Sequence, residues 1–146
     1  MSDDWIVNTI QGNPPDRVVR FTVFGEPKSK QRPRVTSRGT FTPKETQEAE
    51  RRIREKWRTL EEEPFQYHVL VEIQFFNGNR RRRDLDNMAK LVLDSLNGEA
   101  YDDDFRVVEM VLTKRFTTKE KARTVVVLRE LIEWECESNN VQPLPS

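Results

Sequence analysis

The sequence has few of the residues that build disulfides and zinc sites. Cys136 is the only cysteine and His68 the only histidine among 146 residues. A single cysteine excludes an intramolecular disulfide and a zinc cluster made of cysteines. His68 directly precedes an apolar run, so we interpret it as the first residue of a strand and not as a ligand.

Long apolar segments are also absent. No run approaches the roughly 20 apolar residues that span a bilayer, and none lies near the amino terminus. The sequence therefore predicts no transmembrane helix, no signal peptide and no membrane partner, and it indicates a cytoplasmic protein. Apolar residues make up only 35% of the chain, which suggests that a partner subunit completes the core.

The chain carries no net charge at pH 7, but its charges are segregated. Residues 26–44 contain six cations and one acid, residues 80–83 are all arginine, and acid is concentrated at 61–63 and 130–137. Segregation of this kind can concentrate a polyanion-binding face on a neutral protein. The basic loop at 28–38 is either a solvated connection or a phosphate-binding segment, and its cations without neighbouring acids favour phosphate binding.

Apolar periodicity predicts four strands, at 18–24, 69–76, 107–113 and 124–131, and two helices. Thr42 is a candidate cap for the first helix, with Pro43 at its first position and Glu45 completing a capping box. This helix runs to about Leu60, and Trp57 lies on its apolar stripe. The second helix is predicted from 87 to 97, ended by Gly98.

The order of these elements is strand, helix, strand, helix, strand, strand. This order predicts an α+β fold, with a mixed four-stranded sheet and both helices packed on it. At this length the chain is expected to form one domain, at residues 16–134. Residues 1–15 and 135–146 are expected to be tails, and the second of these is expected to be disordered.

The most informative stretch joins a basic run to paired carboxylates. The four arginines at 80–83 lead into Asp84 and Asp86, and acid returns at residues 102–104. In an extended segment, residues two apart point to the same side, where one hard cation can contact both carboxylates. Two aspartates from a strand end and one from a later loop suit Mg²⁺, which also keeps waters and substrate phosphate oxygens.

Each part of this stretch has a simpler interpretation. An arginine run is often only a solvated face. Asp84 or Asp86 could cap the following helix. Lys90 could form an ordinary ion pair with Asp86 or Asp94, four residues away on either side. The occurrence of all these features within 25 residues favours a site that holds a divalent metal against a phosphate.

The pattern Arg-Arg-Arg-Asp-Leu-Asp-Asn-x-x-Lys at 81–90, followed by acid at 103 and 104 and valine at 107 and 108, resembles the RusA family of Holliday-junction resolvases. A weaker similarity lies at 25–34 and 41–44. The resemblance implies catalysis by Asp84, Asp86, Lys90 and Asp104, with Asp103 as the alternative to Asp104. It also implies a two-fold homodimer and favours a phage or prophage origin.

The resulting hypothesis is Mg²⁺-dependent hydrolysis of a phosphodiester in branched DNA, a four-way junction, with no small-molecule cofactor. Asp84, Asp86 and Asp104 are assigned to the metal, and Lys90 to the charge that develops on the scissile phosphate. The residues expected to hold the DNA backbone are Lys28, Lys30, Arg32, Arg34, Arg82 and Arg83. The alternatives are a noncatalytic DNA-binding regulatory protein and a nuclease of flaps or forks.

Overall fold

The computed structural model of the chain describes residues 17–31, 34–41 and 43–132. Its strands are β1 (Val18–Phe24), β2 (Arg34–Thr36), β3 (Gly39–Phe41), β4 (His68–Asn77), β5 (Val107–Phe116) and β6 (Arg123–Leu131). Its helices are α1 (Lys44–Thr59) and α2 (Leu85–Leu96), and 3₁₀ turns occupy Asp104–Arg106 and Lys119–Lys121. The predicted strands and helices are all present, and His68 begins β4 as expected.

The main sheet has four strands in the order β1-β6-β4-β5. β6 is antiparallel to both β1 and β4, whereas β5 is parallel to β4. The predicted α+β fold with a mixed sheet is therefore confirmed. Because α2 connects the two parallel strands, it begins near the carboxyl end of β4 and ends near the start of β5. Asp84 and Asp86 therefore lie at the amino end of α2, and residues 102–104 lie between its carboxyl end and β5.

The core lies between one face of the sheet and the two helices. Along β4, Val69, Val71, Ile73 and Phe75 are 0–1% exposed, and the residues between them point to the other face, here called the outer face. α1 buries Trp57, whose ring contacts Phe21 edge-on at a centroid distance of 6.2 Å. The apolar stripe that the sequence predicts for α1 is thus a packing surface.

A β-hairpin occupies part of the basic segment that the sequence predicts to be irregular, so this prediction is wrong. β2 and β3 pair antiparallel, and Thr36 lies opposite Gly39, which leaves two residues in the turn. Gly39 has a φ of 119°, a conformation that residues with a side chain rarely adopt. Gly39 therefore permits the tight turn of the hairpin.

Both helices begin at positions different from those predicted. α1 starts at Lys44, and Pro43 precedes it without a side-chain capping bond; Thr42 lies outside the described residues. α2 starts at Leu85, two residues earlier than predicted. The predicted tails and Cys136 also lie outside the described residues. No helix in the described part of the chain is long and apolar enough to cross a membrane.

Candidate active site

Asp84 and Asp86 lie at the amino end of α2. Asp84 is the N-cap residue, in extended conformation, and its carboxylate makes no capping hydrogen bond. Asp86 lies in the first turn, where its carboxylate accepts a hydrogen bond from the Asn87 amide at 2.9 Å. The expectation that both sit in one extended segment is wrong, because the helix already begins at Leu85. Both carboxylates are exposed at the end of the helix where its dipole favours negative charge.

A buried polar network holds the loop that leads into Asp84. The Arg83 side chain is 5% exposed, and its guanidinium donates to Glu26 at 3.2 Å. The same nitrogen lies 3.3 Å from Asn79 and 3.4 Å from Asn77. The Arg83 guanidinium therefore lies in the protein interior. We assign Arg83 to positioning Asp84 and not to binding DNA.

Gly78 allows the loop after β4 to lie close to Glu26 and Lys119. Its amide donates to the Glu26 carboxylate at 2.9 Å. A Cβ at this position would lie 2.8 Å from the Lys119 Cα, closer than real Cβ atoms approach, so any larger residue would force the loops apart. Sequence reasoning missed Glu26, whose carboxylate contacts Arg83 and Gly78, although it lies in the weakly similar segment at 25–34.

Lys114 is a second residue that the sequence analysis missed. Its ammonium donates to the Arg83 carbonyl at 2.8 Å, directly before Asp84 in the chain. It is paired in register with the buried Phe75 of β4, where an apolar residue would be the ordinary choice. No sequence signal identifies it, because the strand was predicted to end at Thr113.

Lys90 lies one helical turn after Asp86 and is exposed. Residues four apart share one face of a helix, so Lys90 lies on the same face as Asp86. Neither carboxylate considered as its partner pairs with it, since the Asp94 carboxylate binds Lys30 at 3.0 Å instead. Within the described residues Lys90 has no ion pair, so its ammonium is available to a ligand.

The three aspartates at the other end of α2 have different environments. Asp102 pairs with Arg106 at 2.9 Å, and hydrogen bonding from that guanidinium lowers the pKa of its carboxyl. Asp103 accepts from the Asp104 amide at 2.7 Å and caps the 3₁₀ turn. The Asp104 carboxylate has no donor among the described residues. Burial raises its pKa, and the negative charges of Asp94 and Asp103 raise it further.

These two acidic groups are separated along α2. The helix has 12 residues and is therefore about 18 Å long. Asp84, Asp86 and Lys90 lie on its amino-terminal half, whereas Asp104 lies near Asp94 towards its carboxyl end. Within the described ranges no three acidic, histidine or cysteine side chains are grouped closely enough to hold a metal. One chain thus brings together Asp84, Asp86 and Lys90 but not Asp104.

The predicted DNA-binding cations also fall into different classes. Lys28 and Arg82 line a surface cleft beside the start of α1, where Lys28 lies 3.7 Å from Glu45. Arg81, which was not among the predicted residues, lines the same cleft. Lys30 instead binds Glu50 and Asp94, each at 3.0 Å. Burial lowers the pKa of Lys30, but these hydrogen bonds outweigh burial and leave its pKa raised. Arg32 and the side chain of Arg34 lie outside the described part of the chain.

Comparison with protein-family models matches residues 25–129 to endodeoxyribonuclease RusA. The match covers more than two thirds of the chain and includes Glu26, Asp84, Asp86, Lys90 and Asp104. No match is found among curated proteins. On the family match, the chain belongs to the RusA family of endodeoxyribonucleases, the Holliday junction resolvases that its signature at residues 81–90 resembles.

Proposed function

We propose that this Holliday junction endonuclease cuts by paired, symmetric, Mg²⁺-dependent nicks, made by a homodimer in which each active site uses residues of both chains. The observation that carries this proposal is the position of the acidic groups at opposite ends of α2. Because junctions form during recombination of cellular or phage DNA, we place the enzyme in the cytoplasm.

The donors in the sequence suit a hard divalent cation. In the described part of the chain, the carboxylates of Asp84 and Asp104 accept no hydrogen bond, so all their oxygen lone pairs are available. Mg²⁺ prefers carboxylate oxygens and binds with only one or two of them per ion. Asp84, Asp86 and Asp104 would therefore supply the ligands of one or two such ions, which when bound would activate water and neutralise phosphoryl charge.

The chain's own residues supply the other parts of the reaction. Lys90 places an unpaired ammonium on the Asp86 face of α2, where it can stabilise the negative charge that develops on the scissile phosphate. The Glu26–Arg83 pair and Lys114 both hold Arg83, the residue directly before Asp84. Arg81 and Arg82 can contact neighbouring phosphates, which positions DNA without reading its sequence.

A second chain can complete the site. If two α2 helices lie antiparallel about a two-fold axis, the Asp104 end of each faces the Asp84 end of the other. The edge strand β5 offers an apolar surface for such contact, with Met110 50% and Phe116 49% exposed. Two sites related by the axis would cut two strands symmetrically, as resolution of a four-way junction requires.

The shared site is tested by mixing two inactive variants. In a heterodimer of Asp84→Asn and Asp104→Asn chains, one site carries both substitutions and the other carries neither. We expect a 1:1 mixture to recover about one quarter of the wild-type nicking sites, by random pairing in the dimer. Mixing Asp84→Asn with Asp86→Asn is the control, because both shared sites then stay damaged. No recovery in a mixture shown to form heterodimers would reject the shared site.

Substrate choice is tested by mapping cleavage on mobile and fixed junctions at nucleotide resolution, beside flap and fork substrates. Two symmetric nicks that require Mg²⁺ are expected on the junctions. Preferential cutting of flaps or forks would support the alternative nuclease. Junction binding without cutting in any divalent metal would support a noncatalytic protein.

The salt dependence of junction binding should separate the surface cations from Lys30. Arg81→Gln and Arg82→Gln should each reduce the slope of log K against log salt by about 0.9, if each residue contacts one duplex phosphate. Lys30→Gln should leave the slope unchanged and lower thermal stability, because Lys30 already forms ion pairs with two carboxylates of the protein. Arg51→Gln is the control, since this exposed cation already pairs with Glu48 and Glu55. A reduced slope for Lys30→Gln alone would reverse the assignment.

Asp104→Asn is expected to stabilise the metal-free protein at neutral pH. The raised pKa means that the folded state binds the Asp104 proton more tightly than the unfolded state, so the charged carboxylate destabilises the fold as pH rises. This gain in stability should disappear at pH values below the ordinary aspartate pKa of 3.8, where Asp104 is protonated in both the folded and the unfolded state. Urea unfolding with a chelator measures it. Asp102→Asn is the control of opposite sign, because Arg106 lowers the Asp102 pKa.

A further inference from the structure

Aromatic and cationic side chains alternate across the outer face of the sheet, near the carboxyl end of β4. Arg123 is paired in register with Phe24 of β1 on one side and with Phe76 of β4 on the other. Phe76 is paired in turn with Arg115 of β5. We call Phe24, Arg123, Phe76 and Arg115 the stacking row. It crosses all four strands of the sheet.

Phe24 and Arg115 of the stacking row are exposed, and Phe76 and Arg123 are partly exposed. Phe24 is 67% exposed, the largest exposure of any described aromatic side chain. The Arg123 guanidinium carbon lies 3.9 Å from the centre of the Phe76 ring, so this cation already lies over an aromatic face. Arg115 is exposed and has no ion pair within the described residues. Neither phenylalanine belongs to the core cluster.

The stacking row adjoins the candidate active site. Phe76 is followed by Asn77, whose carboxamide oxygen lies 3.4 Å from the Arg83 guanidinium. Arg115 follows Lys114, whose ammonium binds the Arg83 carbonyl next to Asp84. Successive residues of a strand point to opposite faces, so the active-site loop and the stacking row lie on the two faces of the same strand ends.

We infer that the stacking row binds the face of an unstacked nucleobase beside the cleaved strand of the junction. This inference rests on the proposed function. Base faces stack on aromatic rings whatever the base, and arginine adds cation–π attraction and phosphate contacts. Bases inside a duplex have both faces covered by their neighbours, so the ligand is a nucleotide at the branch point, where opening costs least.

The charges of the row disfavour a second copy of this chain as its occupant. In a two-fold contact the same patch meets itself. Arg115 and Arg123 would then face the same arginines of the other copy, and like charges across an interface cost affinity. Contact with phosphate groups is favourable instead, because both arginines then face negative charge.

The test compares Phe24→Ala and Phe24→Leu with Phe105→Ala. Phe105 is a matched control, since it is 59% exposed, lies 4.8 Å from the Arg106 guanidinium and precedes the opposite end of β5. Binding is measured without metal, on a junction with two unpaired thymidines at its branch point and on a fully paired junction. Loss of one stacked base should weaken binding by about 5- to 150-fold for both Phe24 variants. Phe105→Ala should bind as wild type does.

The salt slope separates stacking from charge. Phe24→Ala should lower affinity without changing the slope, whereas Arg115→Gln should reduce the slope by about 0.9. Unchanged affinity of Phe24→Ala, or a change in its oligomeric mass in place of its affinity, overturns the inference. Wild-type protein that fails to bind or cut any junction rejects the proposed function itself. Wild-type cutting beside unaffected Phe24 variants rejects only the stacking row.

Discussion

Asp84→Asn should abolish junction cleavage in Mg²⁺ while junction binding stays equal or becomes tighter. The amide keeps the size of the side chain but loses the charged oxygen that a hard cation requires. It also removes a negative charge that faces the DNA phosphates. Since Asp84 makes no capping hydrogen bond, its replacement should leave the fold of α2 intact. Cleavage and binding are measured on the same synthetic junction.

Asp86→Asn and Asp104→Asn should give the same result, and Asp102→Asn is the matched control. Asp102 lies two residues from Asp104 but is already paired with Arg106, so its loss should reduce cleavage little. Cutting by the Asp84, Asp86 or Asp104 variants in Mg²⁺ would show that the metal assignment is wrong. An inactive Asp102 variant beside an active Asp104 variant would move the third ligand by two residues.

Lys90→Ala should lower the single-turnover cleavage rate by about 10²–10³-fold, the usual cost of losing one preorganised electrostatic stabiliser. The stability of the variant protein should hardly change, because Lys90 is exposed and forms no ion pair with the described residues. Saturating protein separates a slower chemical step from weaker binding.

The shape of the Lys90 cation provides a second test. Lys90→Arg should recover little activity, because a planar guanidinium does not reproduce a compact ammonium in a confined site. Arg51→Ala, a change to an exposed cation on α1, should cut normally. A near-normal single-turnover rate for Lys90→Ala would remove this residue from the mechanism and leave the carboxylates alone to account for catalysis.

Local periodicity is sufficient for much of this fold. The alternation in β4 and the apolar stripe of α1 each depend on residues within one element, so the sequence reveals them directly. The position of β6 between β1 and β4 was not predicted, because strand order depends on partners far apart in the chain. The β2–β3 hairpin was missed because it is short and contains few apolar residues.

The same distinction applies to the candidate site. Asp84, Asp86 and Lys90 lie together because they belong to one short stretch, and their spacing revealed this. Arg83 was expected at the DNA, but it turns inward because Glu26, 57 residues away, receives it. Lys30 was expected at a phosphate, but it forms ion pairs with Glu50 and Asp94 of the protein itself. Ion pairs between distant residues leave no local signal in a sequence.

Because β6 lies between β1 and β4, the main sheet can be completed only at a late stage of synthesis. β1 pairs only with β6 in the main sheet, so a chain leaving the ribosome gives β1 no partner there until residues 123–131 have emerged. Glu26 lies two residues after the end of β1, so we expect its contacts with Arg83 and Gly78 to form only after that pairing. A chain that stops before β6 therefore has every acidic residue of the site, but it lacks the strand that joins β1 to β4 and so positions these residues. We therefore expect chains that stop before β6 not to cut DNA.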